Sequence, residues 1–268
     1  MLEQLDAVLL ARLQFAFTMS FHIVFPSFTI GLASFIAVLE TLWLITNREV
    51  YHNLLKYWMR VFAIAFGMGV VSGIVMSYQF GTNWSRFSEL AGPVVGPLMA
   101  YEVMTAFFLE AGFLGVMLFG LERVGHRLHF LATLMVAVGT LFSAYFILAA
   151  NSWMQHPVGA TFNPEKNRAE LTSIWEVLTN STTLAAFPHT VFGAWLTAGT
   201  FVAAIGGWWM VRGMRKGDPD AIELAQSMRP VTRFGLGVMI ASAVGLGITG
   251  DAQAKLMFEQ QPMKMASA

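Results

Sequence analysis

Residues 13–45 read LQFAFTMSFHIVFPSFTIGLASFIAVLETLWLI, and His22 and Glu40 are the only ionisable side chains among them. About 20 predominantly apolar residues suffice for a helix to cross the hydrocarbon core of a bilayer. This run is longer, so it must tilt or project beyond the membrane. Five further stretches read the same way: Leu54–Phe80, Val94–Leu121, Leu128–Ala150, Leu184–Val211 and Val231–Thr249. None shows the alternating apolar and polar pattern of an outer-membrane barrel strand. The expected fold is all-α and integral to the membrane, a bundle of six transmembrane helices over residues 1–250. Residues 251–268, polar and rich in Gln and Met, can no longer span.

Composition leads to the same class. Of 268 residues, 56% are apolar and 12% charged, against about 25% charged in soluble domains. A single soluble core could not hide that much apolar surface, whereas a lipid bilayer removes the problem. Lys and Arg number 16 and Asp and Glu 16, so there is no basic excess to bind nucleic acid. Without cysteine there is no disulfide, thiolate metal site or cysteine nucleophile. Glu3 and Asp6 stand where a cleavable signal peptide would carry basic residues, and no short apolar core with a small-residue cleavage site follows. No internal repeat, low-complexity tract or soluble domain is evident.

The basic residues predict an orientation. Ten of the sixteen fall in three connections: Arg48, Lys56 and Arg60; Arg123 and Arg127; and Arg212, Arg215, Lys216, Arg229 and Arg233. By the positive-inside rule these connections are cytoplasmic. Both termini and the loops around 81–93 and 151–183 then face outward, with Trp153 and Trp175 suited to a belt at the headgroups.

Charge inside the bilayer is costly, about 2.5–3.5 kcal/mol on insertion scales, so the few intramembrane ionisable groups matter. His22 lies well inside the first span, Glu102 and Glu110 lie in the third, and His189 follows Pro188 near the outer end of the fifth. In a regular helix the spacing of the glutamates turns the second by about 80° and sets it about 12 Å deeper. Glu40, near the inner end of the first span, is expected to reach the interface and pair there. His52, His126 and His129 are expected to be solvated, and His156 to lie in the outer loop. Carboxylates along one helix can relay protons, and a neutral imidazole can hold a haem iron or another metal. By spacing alone, a redox or proton-relay site and an ion- or proton-coupled transporter both remain open. Small residues at Gly69 and Gly73, and at Gly237, Ala241, Gly245 and Thr249, favour close helix packing and would also admit a flat macrocycle.

Five strings, in order and in matching helix context, resemble subunit I of the cytochrome bd-type quinol oxidases. They are Arg12-Leu-Gln-Phe-Ala-Phe-Thr continuing to Phe21-His22, and Gln79-Phe-Gly-Thr-Asn-Trp84. Glu102 with Phe107-Phe-Leu-Glu110, Ala150-Asn-Ser-Trp-Met-Gln155 and His189-Thr190 complete the set. The resemblance implies a haem-bearing subunit of a respiratory terminal oxidase in the bacterial cytoplasmic membrane. Such an enzyme oxidises quinol at the outer face, reduces O2 to water and generates a membrane potential. It carries a low-spin haem b, a high-spin haem b and haem d.

On that likeness His189 ligates the low-spin haem b, and His22 an iron of the oxygen-reducing pair, most plausibly haem d. Glu102 stands beside haem d as ligand or proton donor, and Glu110 lies on the proton path. Arg12 and Asn151 support the cofactors, and Lys264 belongs to the start of the quinol-binding loop at 251–268. The family also implies a second membrane subunit of similar fold and small single-helix subunits. It continues beyond the loop into three more helices that supply a Met ligand and a Glu ligand for the two haems b, so the chain is expected to be the N-terminal part of a longer subunit.

Overall fold

The first apolar run folds as one 40-residue helix, α1 (Ala7–Thr46). Asp6 caps its start by accepting from the Val8 N–H, and Asn47 ends it in the left-handed conformation at φ 50°. Pro26 lies inside α1 and has no N–H with which to bond the carbonyl of His22, one turn back. The structure, a computed structural model, describes residues 6–267; Glu3 lies outside the described residues.

The chain continues through α2 (Glu49–Gly81) and α3 (Ser85–Tyr101), then a π-helical segment (Glu102–Phe107) leading into α4 (Phe108–Phe119). Next come α5 (His126–Gln155), an antiparallel hairpin of β1 (Ala160–Asn163) and β2 (Arg168–Leu171), and a short α6 (Ile174–Leu178). Finally α7 (Ser181–Lys216), α8 (Pro219–Gln260) and α9 (Pro262–Ala266) complete the described chain. Among the described residues, six helices are long and apolar enough to cross a membrane, as the sequence predicts.

The helices run further than the apolar stretches. The third span begins at Ser85 rather than Val94, so most of the expected 81–93 loop is helical, and Pro93 and Pro97 lie inside it. The sixth begins at Pro219 and extends to Gln260. Asp218 caps its start through the Ala221 N–H at 2.8 Å, and Pro230 lies within it. Hydropathy marks only the apolar part of such a helix and not its polar ends. The start of α1, the hairpin, the 82–84 turn and α9 share one face of the bundle, called here the N-terminal face. The opposite ends carry most of the arginines and lysines and form the basic face.

At the N-terminal face the hairpin and α6 fold over the ends of α3 and α5. They bury Trp153, 6% exposed, among Val94, Leu98 and Val177. Trp153 therefore packs inside the protein rather than facing lipid, because the segment following it covers the ring. Trp175 is 71% exposed. Toward the basic face, Phe35, Trp58 and Phe62 centre a second core. α7 and α8 pack closely through glycine: a Cβ on Gly235 would lie 2.8 Å from the Gly199 carbonyl oxygen.

Glu40 and His129 also depart from expectation. Neither reaches solvent; both are fully buried and bonded to each other across α1 and α5. Their pairing offsets the cost that makes isolated burial unfavourable. Residue type at a helix end did not reveal it, since the partners are 89 positions apart.

Candidate functional site

His22 on α1 and His189 on α7 are held by the same device. The Nδ1 of His22 lies 2.9 Å from Ser72 Oγ on α2. The Nδ1 of His189 lies 3.0 Å from Thr249 Oγ1 on α8. Each hydroxyl has one hydrogen to give, and each gives it to its own helix: Ser72 to the Gly69 carbonyl at 3.0 Å, Thr249 to the Gly245 carbonyl at 2.7 Å. Toward the imidazole each hydroxyl therefore accepts, so Nδ1 carries the hydrogen and Nε2 keeps its lone pair. That tautomer is ready to ligate a metal through Nε2, with the hydroxyl fixing the ring.

A glycine follows each hydroxyl residue. A Cβ on Gly73 would stand 3.3 Å from His22 Cε1, and one on Gly250 3.3 Å from His189 Cε1. The absent side chain lets each ring lie close against the neighbouring helix. Neither Nε2 makes a hydrogen bond among the described residues. Two separate imidazoles with free Nε2 atoms fit axial ligands of haem iron. Groups of three or more His, Asp or Glu able to enclose a metal are absent among the described residues.

The glutamates belong to a second polar locus. Ser143 on α5 donates to Glu102 Oε1 at 2.7 Å. Glu110 is 5% exposed, and its Oε1 is buried with no partner among the described residues. A Cβ on Gly139 would come within 2.6 Å of Glu110 Cγ. Gly139 and Ser143, four residues apart, share one face of α5, so both glutamates address that face.

The π-helical segment from Glu102 to Phe107 explains why the expected 80° offset does not hold. A π-turn absorbs about one extra residue, so Glu110 follows Glu102 nearly as a seventh residue would, about 20° out of line. Such segments occur often at functional sites. An orphan carboxylate oxygen in a dry setting is costly, and Glu110 bears that cost.

The remaining expected residues lie at the N-terminal face. Arg12 and Asn151 are exposed. Phe15, one turn past Arg12, packs edge-on against Trp84 at 5.3 Å and ties α1 to the turn after α2. Lys264 Nζ on α9 lies 3.1 Å from Gln155 Oε1, and Gln261 bonds the Gln155 carbonyl. Gln260 accepts from Thr182 at 2.5 Å and donates to Ser181 at 2.9 Å. Residues 251–260 therefore continue α8, Gln260 docks on the start of α7, and Gln261 and Lys264 dock on the end of α5.

Sequence reasoning missed Ser72, Thr249, Ser143 and Gly139 as site residues. The paired strings Ser72-Gly73 and Thr249-Gly250 were the available signal, legible only once each is known to face a histidine.

The family profile described as "Cytochrome bd terminal oxidase subunit I" matches residues 10–268. The chain is 38% identical over 264 residues to the cytochrome bd ubiquinol oxidase subunit 1 of Bacillus subtilis, covering 98% of this chain and 54% of that one. It is 35% identical over 264 residues to the cytochrome bd-II ubiquinol oxidase subunit 1 of Escherichia coli, covering 49% of it. Among solved structures, the bd oxidase from Geobacillus thermodenitrificans superposes with a TM-score of 0.86 at 27% identity, over 97% of this chain and 58% of that one. The chain thus spans about half the length of the curated relatives it matches.

Proposed function

This chain belongs to the cytochrome bd terminal oxidase subunit I family, and from that premise we propose that it is the haem-bearing region of a quinol:oxygen oxidoreductase. In this reading residues 1–250 hold the cofactors, and 251–268 begin the quinol-binding loop. The N-terminal face is the outer one, so the basic face is cytoplasmic. The observation that carries the reading is the matched mounting of His22 and His189, each with Nδ1 on a hydroxyl and Nε2 free.

His189, at the N-terminal face, would ligate the low-spin haem b, and His22 an iron of the oxygen-reducing pair, taken as haem d. When bound, these groups carry electrons from quinol and bind and reduce O2. The protein's own residues do the rest. Lys264, positioned by Gln155, meets quinol at the outer face, where the quinol protons leave. Glu110 exchanges protons within the dry interior, and Glu102, oriented by Ser143, presents a carboxylate as ligand or donor. Arg12 and Asn151, at the outer ends of α1 and α5, would support the cofactors. Protons released outside and taken up inside charge the membrane without a separate pump. A second membrane subunit of similar fold and small single-helix subunits complete the assembly.

The relatives named above are oxidases, which leaves the proton-coupled transporter without support. The test is quinol-dependent oxygen uptake by membranes containing the full-length subunit. Uptake is expected with the unaltered chain, and Glu110→Gln should slow it at least tenfold. Normal uptake in Glu110→Gln would overturn the proton role, and no uptake in the unaltered membranes would overturn the oxidase reading.

A further inference from the structure

Glu40, His129 and Thr133 form a polar cluster at the basic end of α1 and α5 that the proposed oxidase site does not use. All three side chains are fully enclosed. His129 Nε2 lies 2.9 Å from the Met117 carbonyl oxygen on α4, and a carbonyl can only accept, so Nε2 carries a hydrogen. His129 Nδ1 and Glu40 Oε1 are 2.6 Å apart, a contact that requires one proton between them. Placed on nitrogen or on oxygen, that proton leaves the pair with no net charge.

Thr133 supplies room for another. Its Oγ1 lies 2.5 Å from Glu40 Oε2 and 3.2 Å from the His129 carbonyl oxygen. The single hydroxyl hydrogen has two acceptors within reach. With Oε2 bare, it points to Oε2. With Oε2 protonated, the new O–H donates to Thr133 and the hydroxyl turns to the His129 carbonyl. The cluster can therefore gain a proton with every polar atom still bonded, which is the condition for polar groups to persist in a dry interior.

Side chains that meet water lie one helical turn away. Trp43, three residues beyond Glu40, stacks on His52 at 4.3 Å with the planes 7° apart and meets His126 edge-on at 4.9 Å. His126 is exposed and His52 half-buried, and imidazoles exchange protons readily near neutral pH. The other charged groups on the packed elements at this end are Glu49, which faces His52 at 3.4 Å, and Lys56 with Glu122, paired at 2.8 Å. Arg48 at the start of α2, Arg60 on α2, Arg123 and Arg127 flanking the start of α5, and Arg212, Arg215 and Lys216 on α7, the first of these over Trp208 and Trp209, complete them.

We propose that Glu40, His129 and Thr133 form a proton-loading site at the basic face, which keeps one proton permanently and takes a second from the aqueous phase on the Glu40 carboxylate. The second proton comes from hydronium, leaves water behind and makes the cluster cationic; no other reactant is needed. The site requires the membrane bundle but no haem. Under the orientation proposed above it opens to the cytoplasmic side, from which oxygen reduction draws its protons.

The test is infrared difference spectroscopy of the full-length enzyme in detergent, recorded on stepping the pH downward in H2O and in D2O. A deuterium-sensitive carboxylic-acid C=O band is expected in the unaltered protein. It should vanish in Glu40→Gln, persist at a displaced frequency in Thr133→Val, and return to its original frequency in Thr133→Ser. Should Glu40→Gln fail to accumulate, Thr133→Val and Thr133→Ser decide alone. The proposal is overturned if no such band appears, if Glu40→Gln retains it, or if Thr133→Val leaves its frequency unchanged. Visible spectra of the same samples report on the haem reading separately.

Discussion

Thr249→Val probes the mounting of His189. The change is nearly isosteric but replaces the Oγ1 atom, 3.0 Å from His189 Nδ1, with a methyl group. Carbon contacts settle near 3.5 Å or beyond, so the ring must retreat by about 0.5 Å. The Nδ1 hydrogen also loses its acceptor in a half-buried position, at a cost of about 1–3 kcal/mol. Loss of such a supporting partner typically lowers metal affinity about 10–100-fold, or about 1.4–2.8 kcal/mol. The two estimates agree. The assay is haem content per protein, with the reduced-minus-oxidised visible spectrum and a redox titration of the low-spin haem b. Thr249→Val should show partial occupancy or a shifted potential, and Thr249→Ser, which keeps the hydroxyl, should behave as the unaltered protein. Full occupancy with an unchanged potential in Thr249→Val would refute the inferred tautomer and its role.

Other predictions address separate parts of the structure. Gly139→Ala places a Cβ 2.6 Å from Glu110 Cγ, so thermal unfolding should report a loss of about 1–3 kcal/mol together with slowed oxygen uptake. Lys264→Ala, removing the Nζ that Gln155 holds at 3.1 Å, should raise the KM for quinol about tenfold while leaving the haem spectrum unaltered. At the basic face, the hydrogen bond and charge of Lys56 hold the Glu122 carboxyl below its usual range. A carboxylate lowered on folding adds stability above its unfolded pKa of about 4.3 and loses it as pH falls through the folded value. Lys56→Met should therefore flatten the acid limb of a stability-versus-pH curve and leave neutral pH nearly untouched, because exposed pairs contribute little.

The six spans were legible because one physical demand, satisfying backbone and apolar surface in lipid, writes itself into long stretches of sequence. Helix ends were not, because Ser85–Gly92 and Pro219–Pro230 lie where polar residues are as compatible with helix as with loop. His22, His189, Glu102 and Glu110 stood out as costly groups in apolar surroundings. Their supports did not, since Ser72, Thr249 and Ser143 look like any hydroxyl on a membrane helix, and their meaning comes from partners 41 to 60 residues away. Glu40 and His129 were misjudged for the same reason. Near a helix end His129 reads as solvated and Glu40 as paired at the interface, and only the approach of α5 to α1 seals them in. The π-segment left no periodic signature, so the facing of the two glutamates had to come from the structure.

In the proposed oxidase His189 and His22 would each hold iron through Nε2 in separate haem sites. The direct measurement is the dithionite-reduced-minus-oxidised visible spectrum of the full-length enzyme carrying His189→Ala or His22→Ala. His189→Ala is expected to lose the low-spin haem b band, and His22→Ala to perturb the oxygen-reducing haem pair. Normal spectra in both variants would contradict it.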